Sequence, residues 1–325
     1  MPSGPPTGAP APVRPLIGVN YTHVAFDGCS FSDNGILFAG QAGSIGATAV
    51  RQLTEMRVRG VESVRLLIWH TSKIGPNDWG MIPSEGRTIS EPYRTNLIYY
   101  LSTVRALRFA RLTISFAPQW TNSPLRLKYD RRTFGENWRF IRTVRALAEH
   151  YGPADVRFDL LNEGAPSDFL PARIREQVSS YIAQMYRRYA ATYGTADVVV
   201  SFIGPRNPAE ARGHRLENLV HILRSTGVGL PRWFDLHLNY PPHQIRFGLR
   251  RTDRTLARLG LTQGLVIGET AYDDGGAAAA FRDFANSSTR PLEEIVEWYG
   301  HPGNECPVSP PYSVTRYRRV FAWAN

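Results

Sequence analysis

The sequence predicts one (β/α)₈ barrel, and three observations carry that expectation. Apolar, β-branched runs of strand length recur along the chain, with amphipathic helical stretches between them, the pattern of repeated βα units. There are eight of each, and 325 residues is a suitable length for that architecture. Two of the runs, Phe158-Asp159-Leu160-Leu161-Asn162-Glu163 and Gly264-Leu265-Val266-Ile267-Gly268-Glu269, stop abruptly at a glutamate. That is where a barrel sets its chemistry, at the C-terminal ends of buried parallel strands.

The elements follow in order. Strands are expected at 16–21, 63–69, 111–117, 156–161, 197–203, 233–239, 264–268 and 292–298. Helices are expected between them at 44–59, 93–110, 135–150, 172–193, 208–225, 244–259 and 277–286. A closing helix at 313–324 carries Val314, Tyr317, Phe321 and Ala324 at helical spacing. The run 320–323 competes for the eighth strand, but choosing it leaves no chain for the closing helix. A doubly wound open sheet is the main alternative architecture, and it lacks its GxGxxG fingerprint after the first strand. Residues 1–15, rich in Pro, Gly and Ala, read as a disordered tail without a signal-type apolar stretch, of the kind left when a signal or anchor is removed; 16–325 form the single catalytic barrel.

Composition narrows the partners. No apolar run approaches the roughly 20 residues of a membrane span. The formal charge of +10 is almost all arginine, since Lys73 and Lys128 are the sole lysines. Those arginines are scattered with no block of like charge, which reads as solvated helix faces rather than a nucleic-acid surface, although an acidic polysaccharide stays open as a partner.

Two glutamates from different strands are the minimum equipment for cleaving a glycosidic bond, one giving a proton and the other acting as nucleophile or base. Either alone is often a helix-start residue or an ion-pair partner. Asp159 falls one residue off the catalytic face and reads as structural; 273–276 reads as a turn. Tyr21, Trp69, Trp120, Tyr240, Tyr272 and Trp298 sit at strand ends, where rings either pack the barrel mouth or stack on sugars. His23, His70 and His237 also end strands, but without HxH or HExxH spacing they read as hydrogen-bonding residues, so neither metal nor cofactor is expected.

At these residues the chain resembles glycoside hydrolase clan A, the retaining (β/α)₈ enzymes, and most of all its family five cellulase-like group. Asn162-Glu163 matches the clan's Asn-Glu ending strand four, and Glu269 in VIGET matches the glutamate ending strand seven. Arg65 in SVRLLIW and Trp298 in EIVEWYG match the family's strand-two arginine and strand-eight tryptophan. Strand six reads His237-Leu238-Asn239-Tyr240, where the group usually carries His-x-Tyr. The resemblance implies a carbohydrate substrate, Glu163 as acid/base and Glu269 as nucleophile. It also implies Arg65 beside the nucleophile, Asn162 on the sugar 2-hydroxyl, and carboxyls about 5–5.5 Å apart. A non-catalytic carbohydrate-binding barrel and a transglycosylase using the same pair are the alternatives.

Cys29 follows strand one and Cys306 follows strand eight, strands that barrel closure makes neighbours. They are either free or one bridge across the mouth; the bridge is the expectation, and with it a secreted or cell-envelope location.

Overall fold

The computed structural model describes residues 14–22, 24–26, 30–32, 42–73, 81–84, 88–126, 129–270 and 274–298. Both cysteines, His23, Tyr272 and the expected helix at 313–324 lie outside the described residues, as does the tail through residue 13.

Eight parallel strands form the barrel: β1 (Leu16–Asn20), β2 (Ser63–Thr71), β3 (Arg111–Pro118), β4 (Val156–Asp159), β5 (Val198–Val199 continued by Ser201–Ile203), β6 (Trp233–Leu238), β7 (Gly264–Thr270) and β8 (Leu292–Trp298). Sequential strands are neighbours, and β1 pairs with β8 from Leu16↔Glu294 to Asn20↔Trp298 across the seam. The fifth strand is interrupted at Val200. Its first half bonds β4 and its second half bonds β6, which closes the circle. The break has a cause: the Ser201 amide donates to the Asp159 side chain (3.0 Å) instead of a strand-four carbonyl. A two-stranded hairpin, Val24–Phe26 with Ser30–Ser32, follows β1.

The outer layer is α1 (Ala42–Val58), α2 (Glu91–Ala106), α3 (Arg131–Tyr151), α4 (Ala172–Tyr193), α5 (Pro208–Ala211), α6 (Arg215–Ser225), α7 (Pro242–Arg258) and α8 (Asp274–Ser287). The expected helix at 208–225 is divided by Gly213 and by His214, whose φ of 48° is left-handed and breaks the helical run. The expected turn at 273–276 is corrected at 274–276, where α8 has already begun, and residue 273 lies outside the described residues. The alanines 277–280 carry the helix on.

Strand alternation separates two interiors. On β2, Val64, Leu66 and Ile68 join the apolar shell between sheet and helices, while Ser63, Arg65 and Leu67 take the other face. Phe234, Leu236 and Leu238 on β6 point outward in the same way. Into that shell α4 sends Val178, Ile182, Met185 and three tyrosines. Truncating one of its leucines, Leu66 for example, would cost about 2–5 kcal/mol. The barrel lumen is different, because it is lined with buried polar and charged groups.

Candidate active site

Arg65 is the hub of that lumen. Its side chain is fully buried, so the guanidinium must find acceptors inside the protein. Nη1 donates to Asn20 Oδ1 (3.0 Å) and Glu269 Oε1 (2.9 Å). Nη2 donates to Ser115 Oγ (3.0 Å), Asn162 Oδ1 (2.7 Å) and Asp159 Oδ2 (3.3 Å). Burial opposes its charge, but Glu269, Asp235 and Asp159 outweigh that and leave its pKa above the ordinary value.

Glu269 reaches this hub through an irregularity in β7. Leu265 and Ile267 face the outer shell, so strict alternation would turn residue 269 outward as well. The pairing with β6 slips by one residue there, from Leu236↔Ile267 to His237↔Glu269, which sets Glu269 beside the inward His237. Glycine at 268 is required by a close approach: a Cβ there would lie 2.2 Å from Asp235 Oδ1. Glu269 Oε2 accepts from Asn239 Nδ2 (2.9 Å) and Trp298 Nε1 (3.0 Å). Burial alone would raise its pKa. The charges of His237 and Arg65 and those two hydrogen bonds more than offset burial, so the net shift is downward and Glu269 is held ionised.

Glu163 lies in a tight turn after β4, closed by the Gly164 amide donating to the Leu161 carbonyl (3.0 Å). Its φ is 53°, a left-handed conformation unusual for a residue with a side chain. The Glu163 amide donates to Ser201 Oγ (2.7 Å), which in turn donates to Asp159 Oδ2 (2.7 Å). The carboxyl is about one-third exposed, whereas that of Glu269 is nearly closed off. One imidazole nitrogen serves both glutamates: His237 Nδ1 is 3.2 Å from Glu163 Oε1 and 3.4 Å from Glu269 Oε1. An oxygen of each carboxylate lies within 4.8 Å of an oxygen of the other.

Behind His237 is Asp235, fully buried, with Oδ1 3.7 Å from His237 Nε2 and neither oxygen accepting a hydrogen bond. Burial pushes its carboxyl up to about 6, against the pull of His237 and Arg65. The His237 imidazole is itself shifted upward: burial opposes its charge, but Glu269 and the hydrogen bond to Glu163 prevail. Two donor sets, Glu163/His237/Glu269 and Asp159/Asp235/His237, are compact enough to hold a cation. In the first, Arg65 already supplies a positive charge 2.9 Å from Glu269.

The other expected site residues divide. Asn162 and Trp298 join the cluster through Arg65 and Glu269. Trp69 is half-buried and shares the inward parity of Arg65 on β2. Trp120 is 45% exposed in the turn after β3, with the Arg126 guanidinium 4.9 Å from its ring centroid. Tyr240 is half-buried under Arg206, near enough to Glu163 for that charge to act on its phenol. Tyr21 is a correction: it is buried in the outer shell, its hydroxyl donating to Gln52 Oε1 (2.7 Å) and its ring against Tyr100, because Asn20 takes the inward position. His70 likewise faces α3, stacked on Phe140, and burial lowers its pKa to about 4. Asp159 is structural as expected, but its side chain points inward onto Arg65, Ser115 and Ser201. Sequence reasoning missed Asn20, Ser115, Ser201, Asp235 and Asn239. The signal for two of them was present, since 235, 237 and 239 are polar at every second position of one strand.

No protein-family model and no curated sequence matches the chain. Solved structures resemble it in fold. An endo-1,4-β-mannanase from Rhizomucor miehei aligns with a TM-score of 0.58 at 11% identity, over 100% of this chain and 99% of that one. An AHE enzyme from Alicyclobacillus herbarius gives 0.55 at 11%, covering 88% of each chain. An exo-β-1,4-mannosidase from Opitutaceae bacterium strain TAV5 gives 0.53 at 12%, over 90% of this chain and 54% of that one. Such identities establish the shared (β/α)₈ barrel, a fold that hosts many chemistries.

Proposed function

We propose that the protein is a retaining glycoside hydrolase, with Glu269 as nucleophile and Glu163 as acid/base. The observation that carries this reading is the carboxylate pair itself: two glutamates at the ends of strands four and seven, with oxygens within 4.8 Å and Glu269 held ionised by Arg65 and His237. The approach of these oxygens agrees with direct attack, the geometry of retaining sites, whose carboxyls lie about 5–5.5 Å apart. Glu269 attacks the anomeric carbon while Glu163 gives its proton to the departing oxygen. Water, deprotonated by Glu163, then releases the glycosyl group from Glu269. His237 donates between the two carboxylates and Asn162 faces the same space. The likeness in fold to a mannanase and a mannosidase favours a carbohydrate substrate.

The test is a panel of aryl glycosides and polysaccharides assayed with wild type, Glu269→Gln and Glu163→Gln. Glu269→Gln should lower turnover on the order of 10⁴-fold or more, the scale of removing a covalent nucleophile. Glu163→Gln should spare aryl glycosides with good leaving groups, which need little protonation. Near-normal activity in both variants on a substrate that wild type cleaves would end the proposal.

A further inference from the structure

Beside the carboxylate pair, where the β5 and β6 ends meet α5, α6 and α7, lies a cavity of about 420 Å³. That is within the range of small-molecule sites, about 300–1,000 Å³. Its wall holds two rings, Phe169 (66% exposed) and Tyr240. It also holds three arginines, Arg206, Arg215 and Arg251, against two glutamates.

Both glutamates are already engaged. Glu210 Oε1 accepts from Arg206 Nε (2.6 Å), and its Oε2 accepts from the Arg206 amide (2.9 Å). Glu217 Oε1 accepts from Arg251 (3.4 Å) and from Arg258 (2.6 Å). Arg215 is the exception. Its Nη1 donates to the Ala165 carbonyl (3.0 Å), which fixes the side chain, and among the described residues it forms no ion pair. Its charge acts on Glu210 and Tyr240 only at longer range, and a guanidinium has five N–H donors in a planar fork that suits a carboxylate, so this cavity-lining arginine keeps donors for a ligand. Sugar rings stack on aromatic faces: Phe169 supplies an exposed one, and Tyr240, covered on one face by Arg206, has its other face to give.

The position of the cavity says which sugar it would meet. Tyr240 directly follows Asn239, a ligand of Glu269, and next to burial the charges of Glu210 and Glu163 hold its phenol protonated. The acid/base protonates the leaving oxygen, so the sugar beyond that oxygen lies on the Glu163 side, toward β5 and β6. Trp298 borders Glu269 on the opposite side. We propose that this cavity binds a carboxylated sugar on the leaving-group side of the substrate, with Arg215 pairing its carboxylate between the rings of Phe169 and Tyr240. This rests on the glycosidase reading for its orientation, and it makes the substrate an acidic glycan.

The test reads binding without turnover. Trisaccharides of galacturonate and of mannuronate are titrated calorimetrically, each beside its methyl ester, which keeps the ring and removes the charge. At least one free acid should bind roughly 10- to 100-fold more tightly than its ester, the scale of hydrogen bonds to a charged group. Arg215→Leu should erase that difference, and Arg215→Lys should restore part of it. Equal binding of acid and ester, or binding of neither, overturns the inference; the wild-type comparison holds even should a variant not fold. Glu269→Gln should keep the preference, so failure here leaves the carboxylate-pair assay untouched, and failure there leaves this result standing.

Discussion

The two ends of the barrel hold buried charge in opposite ways. At the N-terminal end, Arg111 reaches Asp155 (2.7 Å), Glu293 (3.1 Å) and Glu294 (3.4 Å), and Arg157 reaches Glu293 (2.5 Å) and Glu294 (3.2 Å). Two arginines there face three carboxylates, and every carboxylate has an arginine. At the C-terminal end Arg65 contacts Asp159 and Glu269, while among the described residues Glu163 and Asp235 are within ion-pair distance of His237 alone, Arg65 acting on Asp235 from farther off. The base is a mutual neutralisation that ties β3 and β4 to β8 across the lumen. At the mouth the balance of burial and neighbouring charge instead moves proton affinities: burial raises Asp235, Glu269 and Glu163 raise His237, and His237 and Arg65 lower Glu269. Ion pairs serve the fold at one end and set proton affinity at the other.

Four substitutions would break or sharpen this contrast. The largest effect is expected from Arg65→Met, which leaves Asp159 and Glu269 buried without their partner. Urea denaturation should show a loss of about 3–5 kcal/mol, with turnover lost as well. A loss below about 1 kcal/mol would mean that the mouth does not depend on its one arginine. Arg157→Met at the base should cost about 1.5–3 kcal/mol, because Arg111 still holds both glutamates, and turnover per folded molecule should not change. A selective fall in turnover there would abolish the division of labour. Gly268→Ala forces a methyl group against Asp235; about 1–3 kcal/mol should be lost, and kcat should fall with the displaced Glu269.

The smallest effect concerns pH. A carboxyl whose pKa is raised on folding stabilises the protein only while protonated. That contribution is whole below its ordinary value near 4 and is lost as pH rises through about 6. Asp235→Asn, which resembles the protonated acid, should therefore gain on wild type between about pH 4 and pH 7, by about 2–4 °C in Tm. A constant difference across that interval would show that Asp235 does not titrate there.

How legible this site was depended on strand phase. The run 292–298 matched its strand residue for residue; Glu163 and Glu269 were singled out because each ends an apolar run, Arg65 and Trp298 through the family resemblance, and the structure brings the four together. Phase failed at Tyr21, since a five-residue strand gives too little alternation to tell whether Asn20 or Tyr21 faces inward. It failed at Asp159 as well, because β4 is buried on both faces and polarity there marks no side. The slip at Gly268 was beyond reach. A glycine inside a strand announces a close approach, but only the folded neighbour, Asp235, says to what. Asn239 was visible as a departure from an expected motif, and its donation to Glu269 follows from sharing the parity of His237.

The left-handed backbone at Glu163 bears on how this chain would respond to selection. A residue with a Cβ held there costs about 1–2 kcal/mol relative to one that tolerates the conformation, and glycine or asparagine would relieve it. A library screened for heat resistance alone should therefore enrich Glu163→Gly early and return robust barrels that lack the proposed acid/base. Thermostability campaigns on this scaffold need an activity gate at that position from the first round.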